Sequence, residues 1–90
     1  PPPPPPRLGV ALEETEGGIR IGEVNAGSLA ERSGLRPGDL VTEAAGAPVK
    51  RSMQLIGVVR RQPEGTWLPL QVRRDGKAVD IVVRFPREAR

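Results

Sequence analysis

Between Trp67 and Phe85 the chain carries a pattern that leaves little choice of local structure. Leu68, Leu70 and Val72 alternate with polar residues or proline, Asp75-Gly76 supplies a tight reversal, and Val79, Ile81, Val83 and Phe85 alternate on the return. A period of two sends one set of side chains to one face, and Asp-Gly tolerates the positive φ angles that a two-residue hairpin turn demands. The segment reads as a β-hairpin with one apolar face. Pro69 has no N–H to give to a ladder, which predicts an edge or an unpaired position of its strand.

The residues upstream supply elements of both kinds. Leu8, Val10 and Leu12 alternate with Gly9, Ala11 and Glu13 as in a half-buried strand, and Ile19 and Ile21 begin a second after the turn at Gly17-Gly18. Asn25-Ala26-Gly27 interrupts the alternation. Ser28 is then placed to cap a short helix through Arg32, with Glu31 at the capping-box position, Gly34 past the end, and Leu29, Ala30 and Leu35 as the buried face. Pro37-Gly38-Asp39 forms a turn into a third strand, Leu40–Ala44, and Gly46 marks the next reversal. From Ser52 to Arg61 the apolar positions Leu55, Ile56, Val58 and Val59 form one helical stripe. Ser52 is available as its cap, Arg60 and Arg61 suit the C-terminal dipole, and Pro63-Glu64-Gly65 ends it. Strand, strand, short helix, strand, longer helix and hairpin make an α+β domain whose small sheet is capped by two helices.

Composition narrows the function classes. Ninety residues close one core, and a chain with neither Cys nor His has no disulfide, no thiolate or imidazole metal ligand, and no triad built on an imidazole base. No apolar run approaches the roughly 20 residues that span a bilayer, and no signal-peptide pattern opens the chain. A start at Pro1 without Met suggests a fragment of a longer protein. Residues 1–49 hold 4 basic and 7 acidic side chains, whereas residues 50–90 hold 10 basic and 4 acidic. That asymmetry keeps a polyanion partner open through Arg60, Arg61, Arg73 and Arg74, but Trp67 and Phe85 are too few aromatics for single-strand stacking, so nucleic acid is disfavoured. Pro1–Pro6 read as a polyproline II rod, either a spacer or a ligand for an SH3-like groove.

The run GEVNAGSLAERSGLRPGDLVTEAAGAPVK resembles the central signature of a PDZ domain, most specifically at Ser33-Gly34-Leu35-Arg36-Pro37-Gly38-Asp39. The hairpin VRRDGKAVDIVV at the end, with Arg7-Leu8-Gly9-Val10 at the start, resembles the circularly permuted bacterial form found in proteases of the HtrA/DegP type and other envelope proteins. The likeness covers residues 7–86, leaving 1–6 as a proline-rich linker and 87–90 as a charged tail. It implies a mostly β, partly open barrel or sandwich of five to six strands with two helices.

The resemblance also implies a site. Arg7-Leu8-Gly9-Val10 stands where the family places its carboxylate loop, so the amides of Leu8, Gly9 and Val10 would meet a partner's terminal carboxylate, with Arg7 adding a water-bridged contact or staying solvated. The ligand would pair as an added strand alongside Val10-Ala11-Leu12-Glu13. Ser52, Ile56 and Val59, at i, i+4 and i+7, would form the opposite wall, with Leu55 and Val58 turned to the core and Val59 serving both roles. Many animal PDZ domains have His where Ser52 stands, and a register slip of one would exchange Ser52 for Arg51 or Met53. An apolar ligand residue is expected there. Changing Gly9 to a β-branched residue is expected to weaken binding far more than stability.

The reading is thus a non-catalytic module that captures the C-terminus or an extended segment of a partner protein, without cofactor or metal, monomeric in isolation. It would belong to a larger bacterial protein of the periplasm or cell envelope, a protease-associated protein among the candidates. Two other classes stay open: a basic surface for a polyanion, and a structural or oligomerisation unit whose groove a neighbour or its own tail fills, although the charged end FPREAR suits an apolar pocket poorly. Catalysis within these residues has little support. Ser28, Ser33 and Ser52 lack a His, Asp39 and Glu43 have ready structural roles, and Glu13-Glu14 reads as a solvated strand end.

Overall fold

The structure, a computed structural model, describes residues 7–86. The proline run and the charged tail lie outside the described residues. In chain order the elements are β1 (Val10–Thr15), β2 (Gly18–Val24), α1 (Leu29–Ser33), β3 (Leu40–Ala44), β4 (Ala47–Pro48), α2 (Ser52–Arg60), β5 (Trp67–Arg74) and β6 (Lys77–Arg84). The strands form one antiparallel sheet in the order β1-β2-β3-β5-β6, with the two-residue β4 attached to β3. β1 and β6 are therefore its two edges. The mostly β, six-stranded open sheet with two helices is the architecture expected of the sequence.

The hairpin forms as its alternation requires. Leu68 lies opposite Val83, Leu70 opposite Ile81 and Val72 opposite Val79, with Asp75 at φ 52° and Gly76 at φ 77° in the turn. Its inward side chains join Ile19, Ile21, Val41 and Leu55 in a single core. Pro69 sits in an interior strand, not an edge; it is paired with Val82 of β6, and the side that lacks an N–H faces β3. Its carbonyl accepts from the N–H of Ala45, the first residue beyond β3, so its nitrogen faces the place where the neighbouring strand has stopped.

Helix α1 starts where the sequence places it. The Ser28 hydroxyl accepts from the Glu31 N–H at 3.2 Å, Gly34 takes the left-handed C-terminal conformation at φ 94°, and Ala30 and Leu35 are buried, with Leu29 half-buried. The Glu31 carboxylate reaches back to the Gly27 N–H at 2.9 Å, one residue before the cap.

Helix α2 corrects one expectation. Ser52 is its first helical residue, not its cap; Arg51 holds the cap position in extended geometry. The Gln54 side-chain oxygen accepts from the N–H groups of Lys50 and Arg51, and the Glu14 carboxylate of β1 accepts from the Ser52 N–H at 2.9 Å. A negative group at a helix N-terminus satisfies an otherwise orphaned donor and complements the dipole, so no serine cap is needed. Glu14 is thus a structural acceptor and not merely a solvated strand end.

Candidate functional site

A cleft of about 680 Å³ runs between β1 and α2. The Glu14–Ser52 bond ties the start of α2 to the far end of β1, so the two elements run in opposite directions and the end of α2 approaches the residues that precede β1. Leu8, Leu55 and Val59 are buried and form the floor, while Val10, Leu12 and Ile56 are half-buried along its walls.

Two bonds determine which main-chain groups β1 presents. Asn25 N–H donates to the Gly9 carbonyl at 2.9 Å, which makes Gly9 and Asn25 a hydrogen-bonded position of the β1–β2 pair. Such positions alternate along an antiparallel ladder, so Val10, opposite Val24, turns its N–H and C=O away from β2. The register then skips Gly22 and sets Leu12 opposite Ile21, which commits its own N–H to Asp39 and its C=O to Gly38. Leu12 likewise directs its N–H and C=O to the open edge. Between them, Ala11 bonds toward β2, and its exposed side chain lies off the cleft.

The segment before β1 is anchored from behind. The Leu8 carbonyl accepts from Ala30 N–H at 3.0 Å, as the Gly9 carbonyl does from Asn25. Both oxygens are occupied, whereas the N–H groups of Leu8 and Gly9 make no hydrogen bond among the described residues. Gly9 adopts φ 81°, and a Cβ there would collide with the Ser28 side chain. Replacing it thus strains the backbone and displaces the α1 cap, so a loss of stability is expected beside any loss of binding.

Of the residues singled out in the sequence, Arg7, Leu8, Gly9, Val10, Leu12, Ser52, Ile56 and Val59 come together on this cleft, and Ala11 joins through its place in β1 alone. Leu55, assigned to the core, also forms part of the floor, and Asn25 and Arg60 complete the lining. The i, i+4 spacing of Leu55 and Val59 carried a signal for the former; the β2–α1 turn that brings in Asn25 left none. Among the described residues the cleft's ionisable lining is Arg7 and Arg60, both cationic, so its field favours an anionic group.

Asp39 anchors the signature turn that leads into β3. It is 1% exposed, and its carboxylate accepts from Arg74 Nε at 2.9 Å, Arg74 Nη2 at 2.8 Å and the Arg36 N–H at 2.9 Å. Burial by itself would push its carboxyl up; the Arg74 and Arg36 hydrogen bonds and both positive charges outweigh that effect and hold it below the ordinary value. Arg74 Nη2 also donates to the Gly34 carbonyl at 2.9 Å. Arg74 is therefore a structural cation, which removes it from the basic surface considered for a polyanion.

Among the described residues no helix is long and apolar enough to cross a membrane. The sequence profile of the PDZ domain family matches residues 6–84. A protein of Ralstonia nicotianae whose name assigns it to the zinc metalloproteases is 36% identical over 80 residues, 89% of this chain and 17% of that protein. The periplasmic serine endoprotease DegP of Escherichia coli is 31% identical over 68 residues, 76% of this chain and 14% of DegP. The chain thus spans 17% and 14% of the length of these relatives. A crystal structure of the HtrA3 PDZ domain bound to a phage-derived ligand shares the fold, with a TM-score of 0.77 and 23% identity over 87% of this chain and 82% of that one.

Proposed function

This chain belongs to the PDZ domain family, and from that premise we propose that its cleft captures the C-terminus, or an extended segment, of a partner protein as a strand added to β1. The observation that carries the reading is the arrangement of main-chain groups. Val10 and Leu12 hold N–H and C=O toward the open edge, and the amides of Leu8 and Gly9 have no acceptor among the described residues while their carbonyls are engaged behind. An extended chain laid beside β1 gains main-chain hydrogen bonds regardless of its sequence. Its terminal carboxylate then meets the Leu8, Gly9 and Val10 amides, in a field set by Arg7 and Arg60. Leu8, Ile56 and Val59 supply the apolar pocket for the terminal side chain, and Ser52 faces the residue two positions upstream.

The module does no chemistry itself in this reading. It delivers or senses a substrate for a larger bacterial protein, and the names of its relatives favour a protease of the periplasm or cell envelope.

Titration of the isotope-labelled chain with a library of peptides randomised at their last four residues, prepared with free and with amidated C-termini, tests the proposal. Free-acid peptides shift the resonances of Gly9–Glu13 and Ser52–Val59 and bind at least about tenfold more tightly than the amides, a difference of about 1.4 kcal/mol. Equal affinity of the two forms overturns carboxylate capture. Shifts confined to Arg60, Arg61 and Arg73 that vanish in salt overturn the peptide-binding reading altogether.

A further inference from the structure

The sheet's second edge carries a self-complementary pattern. β6 pairs with β5 alone among the described strands, so its other side is open. Phe85 N–H donates to the Thr66 carbonyl at 2.9 Å, which fixes the alternation of the β5–β6 ladder. Counting back from it, Ile81 and Val83 bond to β5, and Asp80, Val82 and Arg84 direct their N–H and C=O outward. Their side chains all lie on the exposed face of the sheet.

That face is apolar at its centre. Val82 is 42% exposed, and Pro69 is paired with it across the ladder. Trp67, 63% exposed, pairs with Arg84 and stacks against its guanidinium at 4.7 Å. Beside the edge, a cleft of about 660 Å³ opens between β6 and α1, lined by Leu29, Arg32 and Ser33 on the helix side. An added strand therefore has both unpaired main-chain groups and space.

Charge decides what that strand is. Asp80 and Arg84 stand two residues to either side of Val82. If a second copy of β6 pairs antiparallel with Val82 opposite Val82, then Asp80 of each chain falls opposite Arg84 of the other. Six outward main-chain groups of each copy pair in that register, making about six hydrogen bonds, and two opposite-charge pairs flank an apolar contact. A twofold axis moved to Asp80 or to Arg84 sets like charges against each other, so the pattern selects one register and penalises those two.

We propose that β6 is a homotypic docking edge, through which two copies of this domain pair antiparallel about a twofold axis at Val82. The pairing leaves the β1–α2 cleft of both copies open, because it uses the opposite edge of the sheet. It departs from the monomer expected of the isolated sequence. So few paired residues bury much less than the roughly 1,600 Å² of a standard interface, which sets a dissociation constant on the order of 0.1–1 mM for the separate domain. A parent protein that holds copies close raises the occupancy by effective concentration.

A single cysteine placed in this cysteine-free chain tests the register directly. Hydrogen-bonded antiparallel partners have Cα atoms about 5.5 Å apart, within disulfide range. Val82→Cys is therefore expected to cross-link, under mild oxidation, at least about tenfold faster than Ala78→Cys, whose two copies would sit roughly 27 Å apart in this register. Adding Asp80→Arg to Val82→Cys slows the cross-link several-fold, and adding Arg84→Asp to that pair restores it. Equal rates at the two cysteine positions, or rates indifferent to both charge reversals, overturn the proposal. So does a sedimentation mass for the unmodified chain that stays at 9.7 kDa up to about 1 mM. An acidic peptide that binds this edge while the protein stays monomeric replaces the second copy as its occupant and equally overturns it.

Discussion

Asp39 shows how much one side chain can determine. Three donors from two segments converge on its carboxylate, and the Arg74 that supplies two of them also reaches the end of α1 through the Gly34 carbonyl. Removing the buried carboxylate takes the charge-assisted bonds from Arg74, whose own side chain stays partly exposed to water. Asp39→Asn is expected to cost about 2 kcal/mol in urea unfolding, and the double change with Arg74→Met less than the two single changes summed, because both remove the same bonds. The pH dependence follows from the direction of the shift. The folded carboxyl titrates below the ordinary value of 3.8, so its contribution is fully present above that value and is lost as pH falls through the folded one. Thermal melts of the unaltered chain should therefore fall below about pH 4 more steeply than those of Asp39→Asn. The Gly-Asp pair of the signature was legible in the sequence, but not its acceptor role, because Arg74 lies 35 residues away.

At the scale of elements, α2 separates what periodicity conveys from what it does not. The stripe of Leu55, Ile56, Val58 and Val59 was readable because a 3.6-residue repeat puts apolar groups on one face. Which of them would floor the cleft was not, since core and groove are the same face where a helix roofs an open edge. The helix start was misread for a related reason: a local hydroxyl is the common cap, and here a carboxylate from β1 takes the place, 38 residues earlier in sequence. Glu14→Ala is expected to lower stability by about 1 kcal/mol and to speed hydrogen exchange at the first turn of α2 while leaving the amide of Val59 unchanged. Uniform acceleration along the helix would show that Glu14 supports the fold at large and not this end of α2. In the same way, the Asp-Gly turn and its flanking alternation fully specified the β5–β6 hairpin, whereas the placement of Pro69 depended on where β3 happens to stop.

At the scale of the whole fold, the arrangement that matters is a sheet with two edges left open among the described residues, each beside a helix. The β1 edge joins α2 around a cleft whose ionisable lining is cationic, and the β6 edge lies beside α1. A ligand held by main-chain bonds and an apolar pocket, with Arg7 and Arg60 as its cationic lining among the described residues, depends weakly on ionic strength. Affinity for a free-acid peptide should fall by less than about tenfold between about 0.1 and 1 M NaCl; a steeper loss on the scale of several released counterions would assign binding to the dispersed arginines instead. By itself the sequence determined the elements other than the two-residue β4, the hairpin, the single core and, through its Gly-Leu-Arg-Pro-Gly-Asp run, the family, because each of these is written in residues near one another along the chain. The tertiary structure alone decided that Gly9 backs onto Ser28, that Glu14 holds α2, that Asn25 and Arg60 reach the cleft, and which N–H and C=O groups of each edge point outward. Those facts turn on hydrogen-bond parity and on contacts between distant segments, which no local pattern of side chains encodes.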